Sequence, residues 1–440
     1  MAGPRIWFDP PAFSWGRVVR IGLLWAGLVL VFMLPALQND PGVPAPAPVA
    51  VPAVSLRVAA SAPRPPVATR PATVVAAVAS APLRTPAAAG EMPVCGGARL
   101  KLRSDGHADL AALAAADGGR VRQRIVSAIR RGGQEWDEAA ALFLELTTGA
   151  RVPPADCEGG NCSDSTRAAT TARRLDGLAN LALASRDPRL HMLAFNACVW
   201  SRQPAQSEAC RAVSVERWTQ LDPNNAVPWL FLASKAAQKR DGAALADAMQ
   251  HVAHATHSDS GWGVLPGMVA TNAPPEDAAV PATLQLLTEA VGVQTVLSVP
   301  SYQPTLEFCK DDALRDPARR QTCGEVAEVL ATKSTTLTDR RMGAVLGKRT
   351  GWPAERSDSV KTELDAVGQV MGSRIAQGTE LLACEGARRS IAYYREVGQV
   401  GEIEAARRAI AGSGKSAAAW AEGASAPGRQ AAQQGASAPG

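Results

Sequence analysis

The stretch Val18–Leu37, VVRIGLLWAGLVLVFMLPAL, holds a single charge, Arg20, in twenty residues. As an α-helix it would rise about 30 Å, the thickness of a bilayer's hydrocarbon core. Arg20 stands near its start and can snorkel to the interface, where Trp7 and Trp15 are suited to anchor the chain. Pro35 falls in the last turn, where a broken ladder costs least. Arg5, Arg17 and Arg20 lie before or at the start of the span, and the first basic residue after it is Arg57. The positive-inside rule then expects residues 1–17 in the cytoplasm, 18–37 as one transmembrane helix of a bacterial inner membrane, and the rest in the periplasm. A cleaved signal peptide has a shorter apolar region than this, and would export the same domain.

Composition divides the rest of the chain. Residues 41–90 contain eleven prolines, four arginines and no acidic residue, and the Ala/Gly/Ser/Gln tail repeats Gly-Ala-Ser-Ala-Pro-Gly from Gly423 and again from Gly435. Neither stretch has the apolar content to offset the entropy of ordering it. The expected organisation is therefore a disordered Pro/Ala-rich linker over 38–91, a folded periplasmic domain over 92–411 and a low-complexity tail over 412–440. As a flexible coil the linker would span roughly 40 Å, and as extended polyproline on the order of 160 Å. The formal net charge of +5 is small for 440 residues. The basic residues are read as dispersed over solvated helix faces, without the aromatic interleaving of a nucleic-acid surface, so no nucleic-acid partner is expected.

Eight cysteines, an even number, suit an oxidising compartment. Pro204 lies midway between Cys198 and Cys210, and Asp316 midway between Cys309 and Cys323. Residues equidistant from a hairpin turn lie opposite one another, so each pair is expected to clamp its own helical hairpin. Asp316-Pro317 also has the chemistry of an N-cap followed by a first-turn proline. Cys157 and Cys162 bracket a flexible Glu-Gly-Gly-Asn loop and form a third candidate pair. Elimination leaves Cys95 with Cys384, joining the start of the domain to its end. No Cys-x-x-Cys occurs, and the spacings do not match zinc-ligand patterns.

Only VQTVLSV, from Val293 to Val299, has strand-like β-branched density. Elsewhere apolar residues recur at intervals of three and four. Helices are expected over Asp109–Ala116, Arg120–Arg130, Glu135–Thr147, Ser165–Ala184, Arg189–Trp200, Ala205–Gln220, Val227–Arg240, Ala243–Ala255, Ala282–Val291, Pro317–Ala331, Leu337–Leu346, Val360–Ile375 and Arg388–Ile410. These lengths and turns predict an all-α fold of antiparallel helical hairpins, either repeat-like or an irregular bundle.

Within it, Asp222-Pro223-Asn224-Asn225 has the character of an inter-repeat turn. Trp229, Leu232 and Ala233 take apolar and small positions of a first helix, Asp241 the intervening turn, and Met249 an apolar position of a second helix. Asp187-Pro188 precedes Asp222-Pro223 by 35 residues. On these residues, 187–255 resemble tetratricopeptide-type repeats, whose period is about 34. Ala236, Leu245 and Val252 depart from the repeat's usual residues, and Trp218 is bulky where the upstream unit expects a small one. The resemblance implies stacked hairpins with a concave face able to hold a peptide, with Leu230, Ser234 and Gln238 as contact candidates on the inner helix face.

Motifs with chemistry are few. AIAGSGKS, Ala409–Ser416, approximates a phosphate-binding loop but lacks its first glycine and its preceding strand, so Gly412 is read as a helix C-cap instead. His251 and His254 are three apart on one expected helix and could bind a divalent metal given a third ligand, whereas His257 lies past the helix end. No nucleophile elbow, His-Glu-x-x-His or dinucleotide fingerprint occurs. The expectation is therefore a membrane-tethered helical scaffold or adaptor for a protein or peptide of the cell envelope, with no cofactor. The alternative is a metal-dependent envelope hydrolase using His251 and His254.

Overall fold

The computed structural model describes residues 91–97, 99–101, 110–148, 164–200, 207–297, 299–376, 380–381 and 383–423. The expected transmembrane helix, the linker but for Glu91, which begins a strand, and the Cys157–Cys162 pair lie outside these residues. No helix among the described residues is long and apolar enough to cross a membrane.

A short antiparallel hairpin opens the described chain, β1 (Glu91–Pro93) pairing with β2 (Arg99–Lys101). Helices then come in succession: α1 (Leu110–Arg130), α2 (Glu135–Thr148), α3 (Asp164–Ala184), α4 (Pro188–Trp200), α5 (Glu208–Ala212), α6 (Val215–Leu221), α7 (Ala226–Gln238), α8 (Gly242–His254) and α9 (Val264–Thr271). The second half holds α10 (Val280–Leu297), α11 (Gln303–Phe308), α12 (Pro317–Lys333), α13 (Leu337–Thr350), α14 (Ala354–Arg374), α15 (Cys384–Val400) and α16 (Glu402–Gly412). The fold is helical, as the apolar periodicity requires.

Boundaries obey local chemistry. Asp316 caps α12 by accepting from Ala318 N at 3.1 Å, with Pro317 in the first turn. Asp241 caps α8 through Ala244 N, and Thr336 caps α13 through Asp339 N. The helix expected over Ala205–Gln220 is not continuous: its described part divides into α5 and α6, because Ser214 turns extended and caps α6 through Arg217 N. Arg388–Ile410 divides at Gly401, whose φ of +82° belongs to glycine. The two segments expected over 109–130 are instead one helix running through Gly118 and Gly119. The strand-like Val293–Val299 stretch is helical through Leu297, local preference yielding to helix packing.

Several apolar clusters fill the described part of the fold. The largest joins α1–α4 to α9, α10 and α15 around Ile125, Phe143, Leu178, Leu193 and Leu265. A second lies among α7, α8, α12 and α13 around Leu230, Met249, Cys309 and Leu330. A third, around Leu364, Val367 and Ile403, packs α13 and α14 on α16, and partly buried Trp420 covers it. Residues 412–423 thus belong partly to the folded body: Trp420 Nε1 donates to Ser413 Oγ at 3.0 Å, and Lys415 Nζ stands 5.3 Å from the ring centroid. The helix ends at Gly412 with Ser413 as its C-cap, and the positive φ falls at Gly414 rather than Gly412.

Disulfides join Cys198 to Cys210, Cys309 to Cys323 and Cys95 to Cys384, with Cα separations of 5.5, 5.8 and 4.5 Å. The first two close neighbouring elements, and the third ties the β1–β2 turn to the start of α15.

Candidate functional site

The α7–α8 hairpin is held at its open end by Asn225. Its Oδ1 accepts from Val227 N at 3.1 Å and Asp259 N at 3.0 Å, while Nδ2 donates to Asp222 Oδ2 at 3.0 Å and Asp259 O at 2.8 Å. Trp229 Nε1 donates to Pro223 O at 2.9 Å, and the indole stacks on the His251 ring with centroids 3.8 Å apart. The turn residues that suggested a repeat therefore do structural work.

The proposed inner face is not an open groove. Leu230 is fully buried in the second cluster. Ser234 Oγ donates to Leu230 O and to Ser301 O, so the chain before α11 lies against it. Gln238, at the helix end, is exposed. Sequence spacing placed these three on one face, but it could not show that α11 and its approach cover that face.

His251 and His254 each turn Nδ1 to the carbonyl one helical turn back, Asp247 O at 3.0 Å and Gln250 O at 2.7 Å. His257 Nε2 lies 3.4 Å from Asp222 Oδ1. Among the described residues the one three-ligand grouping of His, Cys, Asp or Glu is Cys95, Asp277 and Cys384, whose two sulfurs are bonded to each other. The structure does not bring His251 and His254 into such a group.

The most heavily buried polar cluster centres on Asp339 at the start of α13. Its carboxylate accepts from Ser258 Oγ at 3.0 Å, Ser334 Oγ at 2.8 Å and, in a short contact, Tyr302 Oη. Burial raises the carboxyl's pKa against the opposing pull of these hydroxyls, and burial beside Asp339 pushes Tyr302 well above the usual phenol range. Nearby, buried Glu402 accepts from Trp262 Nε1 at 3.0 Å and Leu337 N at 2.7 Å. Burial raises its pKa too. Both carboxylates are buried and engaged by internal donors, which suits them to fix α13 against α16 and the 258–262 segment.

Among the described residues, two of the clefts that open to solvent bear on function. One, about 470 Å³, lies between α12 and the α13–α14 turn; there the Arg356 guanidinium sits 4.0 Å from the Trp352 ring centroid and pairs with Glu328. The other, about 620 Å³, runs along the outer face of α1 against residues 271–275. Arg120, Arg124 and Arg131 line it with Gln123 and Ser127 on one side, and Ala273, Pro274 and Pro275 form the other. Arg124 pairs with Glu276 at 2.8 Å, both side chains about half exposed.

Neither family models, curated proteins nor solved structures give a match to this chain. The likeness of 187–255 to tetratricopeptide hairpins is carried by its local residues alone. Treating the basic residues as dispersed overlooked the Arg120 cleft. The available signal was spacing: Arg120 and Arg124 are four apart on one helix, and Arg131 follows seven residues on, directly after the helix end.

Proposed function

We propose that this protein is a membrane-tethered helical adaptor of the bacterial envelope, its periplasmic domain binding a protein or peptide partner. The observation that carries the reading is the pairing of a disulfide-braced helical body with an open cleft lined by side chains suited to recognition. Cys95–Cys384, Cys198–Cys210 and Cys309–Cys323 favour an oxidising compartment. The apolar run of residues 18–37 and its basic flank favour the anchored orientation. Burial and internal hydrogen bonds keep Asp339 and Glu402 from acting on a ligand, which argues for binding over catalysis.

The test uses the full-length chain in its own envelope. A photo-crosslinking residue is placed in turn at exposed positions around the domain, Gln238 and Ser127 among them. A discrete protein adduct from adjoining positions is expected, and none from any face would overturn the reading. A C-terminal reporter that fluoresces only in a reducing cytosol should stay dark; bright cells would remove the periplasmic assignment.

A further inference from the structure

We infer that the cleft between α1 and residues 271–275 binds an extended acidic peptide segment of the partner, an inference that rests on the adaptor reading and names its site. Arg120 and Arg124 lie four apart on α1, and Arg131, just past its last residue, keeps the helical bond from its N to Ser127 O at 3.2 Å, so the three Cα atoms fall within about 40° of one face. Along the helix axis these intervals are about 6 and 10 Å, or roughly two and three residues of extended chain. Strand side chains alternate, so carboxylates at i and i+2 face Arg120 and Arg124 together, and the next same-face carboxylates, at i+4 or i+6, bracket the level of Arg131. Glu276 on Arg124 already shows the carboxylate chemistry the wall accepts. Each guanidinium carries five N–H donors, so an existing contact leaves donors for a second acceptor.

The opposite wall favours a peptide over other anions. Pro274 and Pro275 have no N–H, so these two residues bring no backbone donor to compete with the arginines for a peptide's acceptors. Gln123 and Ser127 add side chains able to donate and accept. With no aromatic lining the cleft offers nothing for nucleobases to stack on.

The probe is a fluorescein-labelled decaglutamate peptide titrated with the full chain in detergent, read by anisotropy. Saturable binding is expected, weaker at higher salt. The R120Q/R124Q/R131Q variant should weaken it at least about tenfold, while R319Q/R349Q/R374Q, which removes the same charge elsewhere, should change it less than about twofold. Should the first triple variant not fold, as judged by its thermal midpoint, R131E alone should give the same direction. No saturable binding, or equal loss in both triple variants, would overturn the inference. So would displacement of the probe by inorganic phosphate, phosphatidylglycerol vesicles or oligothymidylate at a lower charge concentration than by unlabelled peptide. Loss here with envelope crosslinks intact would move the partner to another face. Loss of both would remove the adaptor itself.

Discussion

Gly267 on α9 and Gly398 on α15 face each other with their backbones in contact: a Cβ added to Gly267 would lie 3.0 Å from Gly398 N and 3.3 Å from Tyr394 O, and closer still to Gly398 Cα. The same two helices are joined again where Arg395 Nη2 donates to Ala270 O at 2.9 Å, closing the C-terminal end of α9. Two glycines thus set how closely the last long helices approach the largest core cluster.

Alanine at either position should therefore overpack the crossing and lower stability by about 1–3 kcal/mol, measured as a shift in the urea midpoint. Gly372, in α14, has open space around its Cα. Gly372→Ala should instead stabilise by about 0.5–1 kcal/mol through helix propensity. Equal effects at all three glycines would contradict the close crossing.

The Asp339 cluster predicts a graded series. Asp339→Ala leaves Ser258, Ser334 and Tyr302 without their common acceptor and should cost about 2–4 kcal/mol. Tyr302→Phe removes one donor and should cost less, about 1–2 kcal/mol. The double variant should fall short of the sum of the two, since both remove the same contact; additive losses in denaturant titrations would show the residues to be uncoupled.

His191 supplies a pH dependence. Its ring is buried, with Nε2 2.8 Å from Ser214 O and no partner for Nδ1. Burial lowers its pKa, Arg217 lowers it further, and the bond to Ser214 acts in the opposite direction. A histidine whose folded pKa is depressed binds fewer protons folded than unfolded. Its stability contribution is therefore intact above the unfolded value near 6.5 and declines as pH falls below it. Urea midpoints taken at pH 7.5 and pH 5 should fall further in the native protein than in His191→Gln, and parallel curves would discard the assignment.

The disulfides should rank by the loop each closes. Replacing Cys95 and Cys384 by serine opens a separation of 289 residues, against 12 for Cys198–Cys210 and 14 for Cys309–Cys323. Loop-closure entropy predicts roughly 5–6 kcal/mol lost in the first case and about 3 kcal/mol in each of the others. Thermal midpoints of the three double-serine variants test that order.

What the sequence made legible was local. Asp316, Asp241 and Asn225 announce their helices because capping uses one side chain and its nearest amides. The Cys198 and Cys309 pairs could be argued because a hairpin turn fixes what lies opposite. Features made by distant segments were hidden. α9 was missed, its eight residues being apolar all round, with no polar face to set a period. Leu230 looked available because nothing in its own helix reveals the segment over it. The cleft along α1 needed residues 271–275 as its second wall. The acceptor role of Asp339 needed Ser258, 81 residues away.

The Cys95–Cys384 bond also gives mechanical tension a shortcut. A pull on the chain before Cys95 and after Cys384 passes through two sulfur atoms, and the backbone between them bears none of it. A domain built this way can be pulled at both ends without the helices between Cys95 and Cys384 being drawn apart. A protease that cuts once between those cysteines leaves the two pieces joined.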